Sequence, residues 1–184
     1  WQALTGYAQT LSFKIVIIIC AVILVAVILV NTYPLITTQE LIVDSIRGDM
    51  LQTANIIASS LSALPVMESD KVSAIMTILD IQDSERVIVT DLYGEIVYDS
   101  APRANRTGYI LLLPELICAL SGQDSFYCRY IREAFESRAC VPLYSTDSII
   151  GAVYLYEYDA YQGSLLISMQ HNIRIMTLIL LFFT

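Results

Sequence analysis

From Ile15 to Val30 the chain reads IVIIICAVILVAVILV without one polar side chain, and Leu11 to Phe13 lead into that run. Together the two pieces approach the roughly 20 apolar residues that cross a hydrocarbon core. A membrane-spanning helix is therefore expected over 15–31. The rival is a cleaved secretory leader, whose apolar core is roughly 7 to 15 residues long and ends at a small-residue cleavage site. Asn31, Thr32, Tyr33 and Pro34 offer no such site, so the anchor is expected to stay.

The other end repeats the signal. The 184 residues close on TLILLFFT, an apolar run that breaks off early, and they open on Trp1 rather than Met. Both ends look cut. The expected organisation is a cytoplasmic N-terminal stub (1–14), the first span (15–31), an extracytoplasmic domain (32–171) and the truncated start of a second span (172–184). Orientation follows Lys and Arg near the membrane ends, and Lys14, the only charge before the first span, points to a cytoplasmic N-terminus.

Composition matters for what lies between the spans. All 18 acidic residues fall between Lys14 and Arg174, against eight of the ten basic ones. Nucleic-acid binding needs clustered Lys and Arg to meet phosphates, so this acidic loop argues against a nucleic-acid partner. Cys20 sits in the apolar run as a small apolar residue. Cys118, Cys128 and Cys140 remain outside, an odd number for an oxidising compartment.

Periodicity divides the loop. Leu41, Ile42, Ile46, Met50, Ala54, Ile57, Ala58 and Leu61 recur at helical spacing, so the first helix is expected to continue outward, interrupted near Gly48 and stopped by Pro65. Val72, Ile75, Met76 and Leu79 give a second helix, capped by Ser69 or Asp70. RVIVTDLYGEIVYDS from Arg86 reads as a hairpin turning at Tyr93 and Gly94. Pro, Asn and Gly mark a loop over Ala101–Gly108. Leu111–Leu120 is a short helix with Pro114 in its first turn and Gly122 beyond its end. Strands follow over Ser125–Arg132, Glu136–Leu143 and Ser148–Tyr156, with polar turns near Glu133 and Thr146, before helix resumes at Asp159. The fold class is α+β, with a five-strand antiparallel sheet between a helix arriving from the membrane and one returning to it.

VIVTDLYGEIVYDS, then Gly108, LPELICALSGQ, FESRACVPLY and IIGAVYLYEYDA form an ordered set. That set, with the flanking helices, resembles the extracytoplasmic PAS-like sensor domain, of single Cache type, found on bacterial transmembrane sensor histidine kinases. The resemblance implies the input half of a two-component receptor in the bacterial cell membrane. It further implies homodimers formed through the membrane helices, contact with membrane lipid, and a response regulator reached only through an absent cytoplasmic part. The same outer domain occurs on chemotaxis receptors, and a membrane-tethered binding domain is a third reading.

Chemistry-bearing residues are few. No GxSxG, HExxH or Walker loop is present, so no catalytic residue, cofactor or metal site is assigned. His171, the only histidine, lies at the outer mouth of the second apolar run, where no ATP reaches it. Asp80, Asp83 and Glu85, and Glu157 with Asp159, lack the spacing of a calcium loop and read as solvated acidic surface. The partner expected is an unidentified small molecule or ion on the strand ladder. Alternation puts Tyr127 and Arg129 on one face of their strand and Phe126, Cys128 and Tyr130 on the other. Arg138 and Tyr154, beside Tyr156, come from neighbouring strands, and Arg103 and Arg106 from the preceding loop; arginine suits a carboxylate ligand. If the hairpin turns about Ala134, Cys128 faces Cys140 and Tyr130 faces Arg138, and a disulfide then forms only at a suitable cross-strand separation. A one-residue slip removes that pairing.

Overall fold

The computed structural model describes residues 2–64, 67–79, 85–101, 106–146 and 148–183. Its elements run α1 (Gln2–Leu61), α2 (Ser69–Leu79), β1 (Glu85–Asp91), β2 (Ile96–Asp99), α3 (Pro114–Leu120), β3 (Ser125–Ile131), β4 (Ala134–Ser145), β5 (Ser148–Asp159) and α4 (Ala160–Phe183). Two compact units divide the chain, Trp1–Glu40 with Leu166–Thr184, and Leu41–Leu165.

In the first unit, among the described residues, no helix is long and apolar enough to cross a membrane. Side-chain surroundings in the first apolar run are described from Lys14 to Leu29, and there Ile18, Val22 and Leu24 are each at least 60% exposed.

The second unit holds an antiparallel five-stranded sheet in the order β2-β1-β5-β4-β3, the α+β arrangement expected. β4 and β5 form its long centre, twelve residues each. Period-two alternation splits their side chains between two faces. On one face Val87, Val89, Ala139, Val141, Val153 and Leu155 are buried almost completely. The stripe Met50, Ala54, Ile57 and Leu61 on α1 is buried as fully, at the three- and four-residue spacing of one helix face. α1 continues through Gly48, where nothing stands within 4 Å of a would-be Cβ. The expected interruption is absent because one glycine lowers helix propensity by only about 1 kcal/mol, which burial of the neighbouring stripe outweighs. The second sheet face carries α3: Leu116 and Ala119 pack with Ile88, Ile96, Cys140, Ala152 and Tyr154.

Turns set the register. At the β1–β2 turn, Asp91 Oδ1 accepts from the backbone N–H groups of Tyr93 (2.9 Å) and Glu95 (2.8 Å), and Gly94 takes the left-handed φ of +79° that the tight turn requires. At β3–β4, Arg132 and Glu133 both adopt left-handed φ, 51° and 64°, a two-residue turn of the kind that matches strand twist. This corrects the expected turn about Ala134. Cys128 pairs with Ser137 and Cys140 with Ser125, which also puts the two cysteines on opposite faces of the sheet. Both thiols are free. Tyr130 faces Phe135, ring centroids 5.1 Å apart, rather than Arg138.

Candidate functional site

Three rows of paired residues cross the α3-bearing face of the sheet. The middle row runs Tyr127, Arg138, Tyr156 and Arg86 over β3, β4, β5 and β1. On one side lies Ser125, Cys140, Tyr154, Ile88 and Asp99, and on the other Arg129, Glu136 and Tyr158. Directly paired residues in an antiparallel ladder share a face. The register therefore brings together four of the residues singled out from the sequence: Tyr127, Arg129, Arg138 and Tyr154. Arg103 lies outside the described residues, as do Asp80 and Asp83.

Charge on this face is arranged as a chain. Arg129 donates from Nε (2.9 Å) and Nη2 (2.6 Å) to Glu136 Oε2. Arg138 Nη2 donates to the other oxygen, Oε1, at 2.9 Å. These two guanidinium groups, Arg138 first, hold the Glu136 carboxyl below the usual carboxylate range. Arg138 also rests over the Tyr127 ring, 5.7 Å from its centroid, a cation–π contact.

The far end of the chain is Glu115, in the first turn of α3. Its Oε1 stands 3.6 Å from Arg138 Nη1, beyond hydrogen-bond distance. Its side chain is only 11% exposed, and Oε2 is buried with no hydrogen-bond partner. Arg138 Nε is buried and unpartnered as well. A buried polar atom without a partner costs about 1 to 3 kcal/mol, more when charged. Burial pushes the Tyr154 phenol up to about 12, the Arg138 charge offsetting part of the effect, so that the group beside the cluster stays neutral.

A second arginine pair closes the β1–β2 side. Arg86 donates from Nε to Asp99 Oδ1 (3.0 Å) and from Nη2 to Oδ2 (2.7 Å). The same carboxylate accepts the Ala101 and Arg106 backbone N–H groups, each at 3.1 Å. The Asp99 side chain is fully buried. Burial alone raises its pKa, but the Arg86 and backbone hydrogen bonds outweigh burial and leave the carboxyl below its ordinary range. Arg86 and Asp99 thus have their hydrogen bonds made, and they fix the start of the loop after β2.

A cavity of about 350 Å³ lies between α1 and the start of β3, lined in part by Asn55, Ser59, Ser62, Asp124 and Tyr144. Its polar groups largely serve the helix itself: Ser59 donates to the Ile56 carbonyl (2.8 Å), Ser62 to the Ser59 carbonyl (2.6 Å) and Asn55 to the Leu51 carbonyl (2.9 Å). Among the described residues three buried side-chain atoms lack a partner, Thr90 Oγ1 on β1 and, together on the α3-bearing side, Glu115 Oε2 and Arg138 Nε. Among the described residues no group of three or more His, Cys, Asp or Glu side chains is arranged to hold a metal ion.

Glu115, Glu136, Arg86 and Asp99 were not singled out from the sequence. A two-residue turn at Arg132 and Glu133 pairs Glu136 with Arg129 on paper, and Glu115 directly follows the Pro114 that opens α3.

The sheet, in the order β2-β1-β5-β4-β3, with α3 on one of its faces, is an α+β fold that can be compared with solved structures. No protein-family model matches the sequence, and no curated protein matches it. Among solved structures, an extracellular ligand-binding receptor from Desulfohalobium retbaense superposes with a TM-score of 0.57 at 19% identity, over 74% of this chain and 26% of that receptor. The chain thus spans far less than the whole of that protein, and the likeness is one of fold. The Escherichia coli DcuS sensor domain (TM-score 0.44, 16% identity, 66% of this chain and 97% of that one) is a more distant match. So is the sensor domain of the Vibrio cholerae histidine kinase DctB (TM-score 0.44, 17% identity, 72% and 60%).

Proposed function

We propose that this chain is the extracytoplasmic, small-molecule-sensing input region of a bacterial transmembrane receptor, with a two-component sensor histidine kinase as its parent. The observation that carries the reading is the cluster Arg129, Glu136, Arg138 and Glu115, gathered on one sheet face with a buried donor and a buried acceptor unmet. Sites that take small ligands combine apolar surroundings with a few placed polar groups, and Leu116, Tyr154 and Tyr156 form a packed apolar cluster on the same sheet face. The receptor from Desulfohalobium retbaense, described as ligand-binding, shares the fold.

Anchoring is part of the same proposal. The apolar run from Ile15 to Val30 exposes, between Ile15 and Leu29, large apolar side chains that water penalises and lipid accepts, so we assign it to the bacterial cell membrane, with α4 as the returning helix. Homodimerisation through these helices and a response regulator as the downstream partner belong to the kinase part of the proposal. A ligand shifts such a receptor only through unequal affinity for its two states.

The test has two arms. Thermal melting of the detergent-solubilised chain against a small-molecule library should return at least one compound that raises Tm and loses its effect in Arg138→Ala; a library with no such compound overturns sensing at this face. Reading the coding DNA beyond Thr184 should show a linker, a phospho-acceptor helix and an ATP-binding domain. A long coiled coil or a stop codon there would sink the kinase assignment.

A further inference from the structure

The unmet atoms of the cluster say more than that something binds, and the inference drawn from them rests on the sensing reading above. Glu136 is satisfied on both oxygens by the two arginines. Glu115 is not: its Oε2 is buried without a partner, and its Oε1 stands 3.6 Å from Arg138 Nη1, beyond hydrogen-bond distance. On the other partner, Nε of Arg138 has a proton and no acceptor. One ion pair therefore lacks a donor on its acid side and an acceptor on its base side.

A ligand that completes both must carry an N–H-bearing cation and a carboxylate close together. The four side chains sum to zero charge, two arginines against two glutamates, so a guest of zero net charge leaves that balance unchanged while its two charged ends meet opposite ends of the ion pair. A doubly negative acid satisfies Arg138 but brings like charge up to Glu115 and Glu136. A simple amine does the reverse against Arg129 and Arg138. The Tyr127 ring already tolerates a cation on its face. Because the Glu115–Arg138 separation exceeds hydrogen-bond distance, parting the two breaks no hydrogen bond. We propose that the ligand is a zwitterionic α-amino acid, its ammonium held by Glu115 and its carboxylate by Arg138.

Calorimetric titration of the full chain in detergent tests this with matched probes: L-α-amino acids, and the corresponding 2-hydroxy acids in which –OH replaces –NH3+. At least one amino acid should bind about tenfold or more tightly than its hydroxy counterpart, the worth of one hydrogen bond to a charged group. Glu115→Gln, nearly the same shape, should erase that preference while the melting curve stays cooperative, and Arg138→Lys should weaken binding of amino and hydroxy acid alike. Equal or tighter binding of the hydroxy acids overturns the zwitterion. If that binding still vanishes in Arg138→Ala, the sensing reading survives without it. No heat from any amino acid at about 10 mM, a concentration that detects even millimolar affinity, also overturns the zwitterion, and the library screen then decides the sensing reading by itself.

Discussion

Gly163, in the first turns of α4, lies directly against the backbone carbonyl of Glu133 at the tip of the β3–β4 hairpin. A side chain at this glycine would collide with that carbonyl and with the Ala134 Cα, both of them backbone that cannot swing aside. Gly163→Ala should therefore destabilise the domain by about 1 to 3 kcal/mol, as overpacking of a tight contact does. A lower urea midpoint at unchanged m-value is the expected result; an unchanged midpoint would mean that helix and hairpin separate freely.

The Arg86–Asp99 pair makes stability depend on acid. The folded-state pKa of Asp99 is depressed, so its contribution is fully present above the ordinary aspartate range near pH 4 and is lost as pH falls through the folded value. Asp99→Asn should cost about 3 kcal/mol at pH 7, because it leaves Arg86 facing a neutral group. It should also flatten the acid limb of a Tm-against-pH curve. A variant whose acid limb matches the parent would assign that limb to another carboxylate.

The cysteines should behave as separate thiols. Alkylation in denaturant without reductant should label all four, since each is free in the fold. In the native state Cys140 should resist labelling, being inaccessible and having its thiol pushed up to about 12, first by burial and then by nearby Glu115; thiolate, not thiol, is the reactive form. Mass spectrometry after timed labelling reads both results, and a Cys128–Cys140 linked peptide would contradict the register.

Arg132 and Glu133 hold left-handed conformations that cost an ordinary residue about 1 to 2 kcal/mol each. Replacing them with Asn-Gly, the pair that two-residue hairpins prefer, should raise Tm by about 3 °C in a chain of this size. A lower Tm would show that the Arg132 or Glu133 side chain makes a contact the turn needs.

Much of the architecture is legible in the residues because periodicity carries it. The β-branched runs at Val87–Thr90 and Ile149–Leu155 read as strands, and Pro114 and Gly122 bracket a helix, because those side chains fix local backbone choices. Register is another matter. Whether a hairpin turns at Arg132–Glu133 or about Ala134 depends on two residues without special turn chemistry adopting positive φ, and nothing local in Arg or Glu announces that. The consequence fell on the cysteines and on Tyr130, whose partners a shifted turn exchanges. Tyr127 and Arg129 sharing a face depended only on alternation within one strand, so no turn geometry entered. Glu115 is illegible in the sequence for a different reason: its role depends on where α3 lies over the sheet, a tertiary relation that no window of sequence contains.

β4 and β5 are twelve residues long while β2 has four. At about 3.3 Å per residue the long pair extends roughly 40 Å, with Arg138 near its middle and the Glu133 turn at one end. β4, running from Arg138 to the Glu133 turn that joins it to β3, is a lever arm. A tilt of about 3° at Arg138, over the roughly 17 Å to the turn, displaces the tip by about 1 Å. The tip presses on Gly163, where no compressible side chain intervenes to absorb the movement. Shifts of that size are the ones by which helices switch at interfaces, so rearranging one arginine is mechanically sufficient to move the first turn of α4.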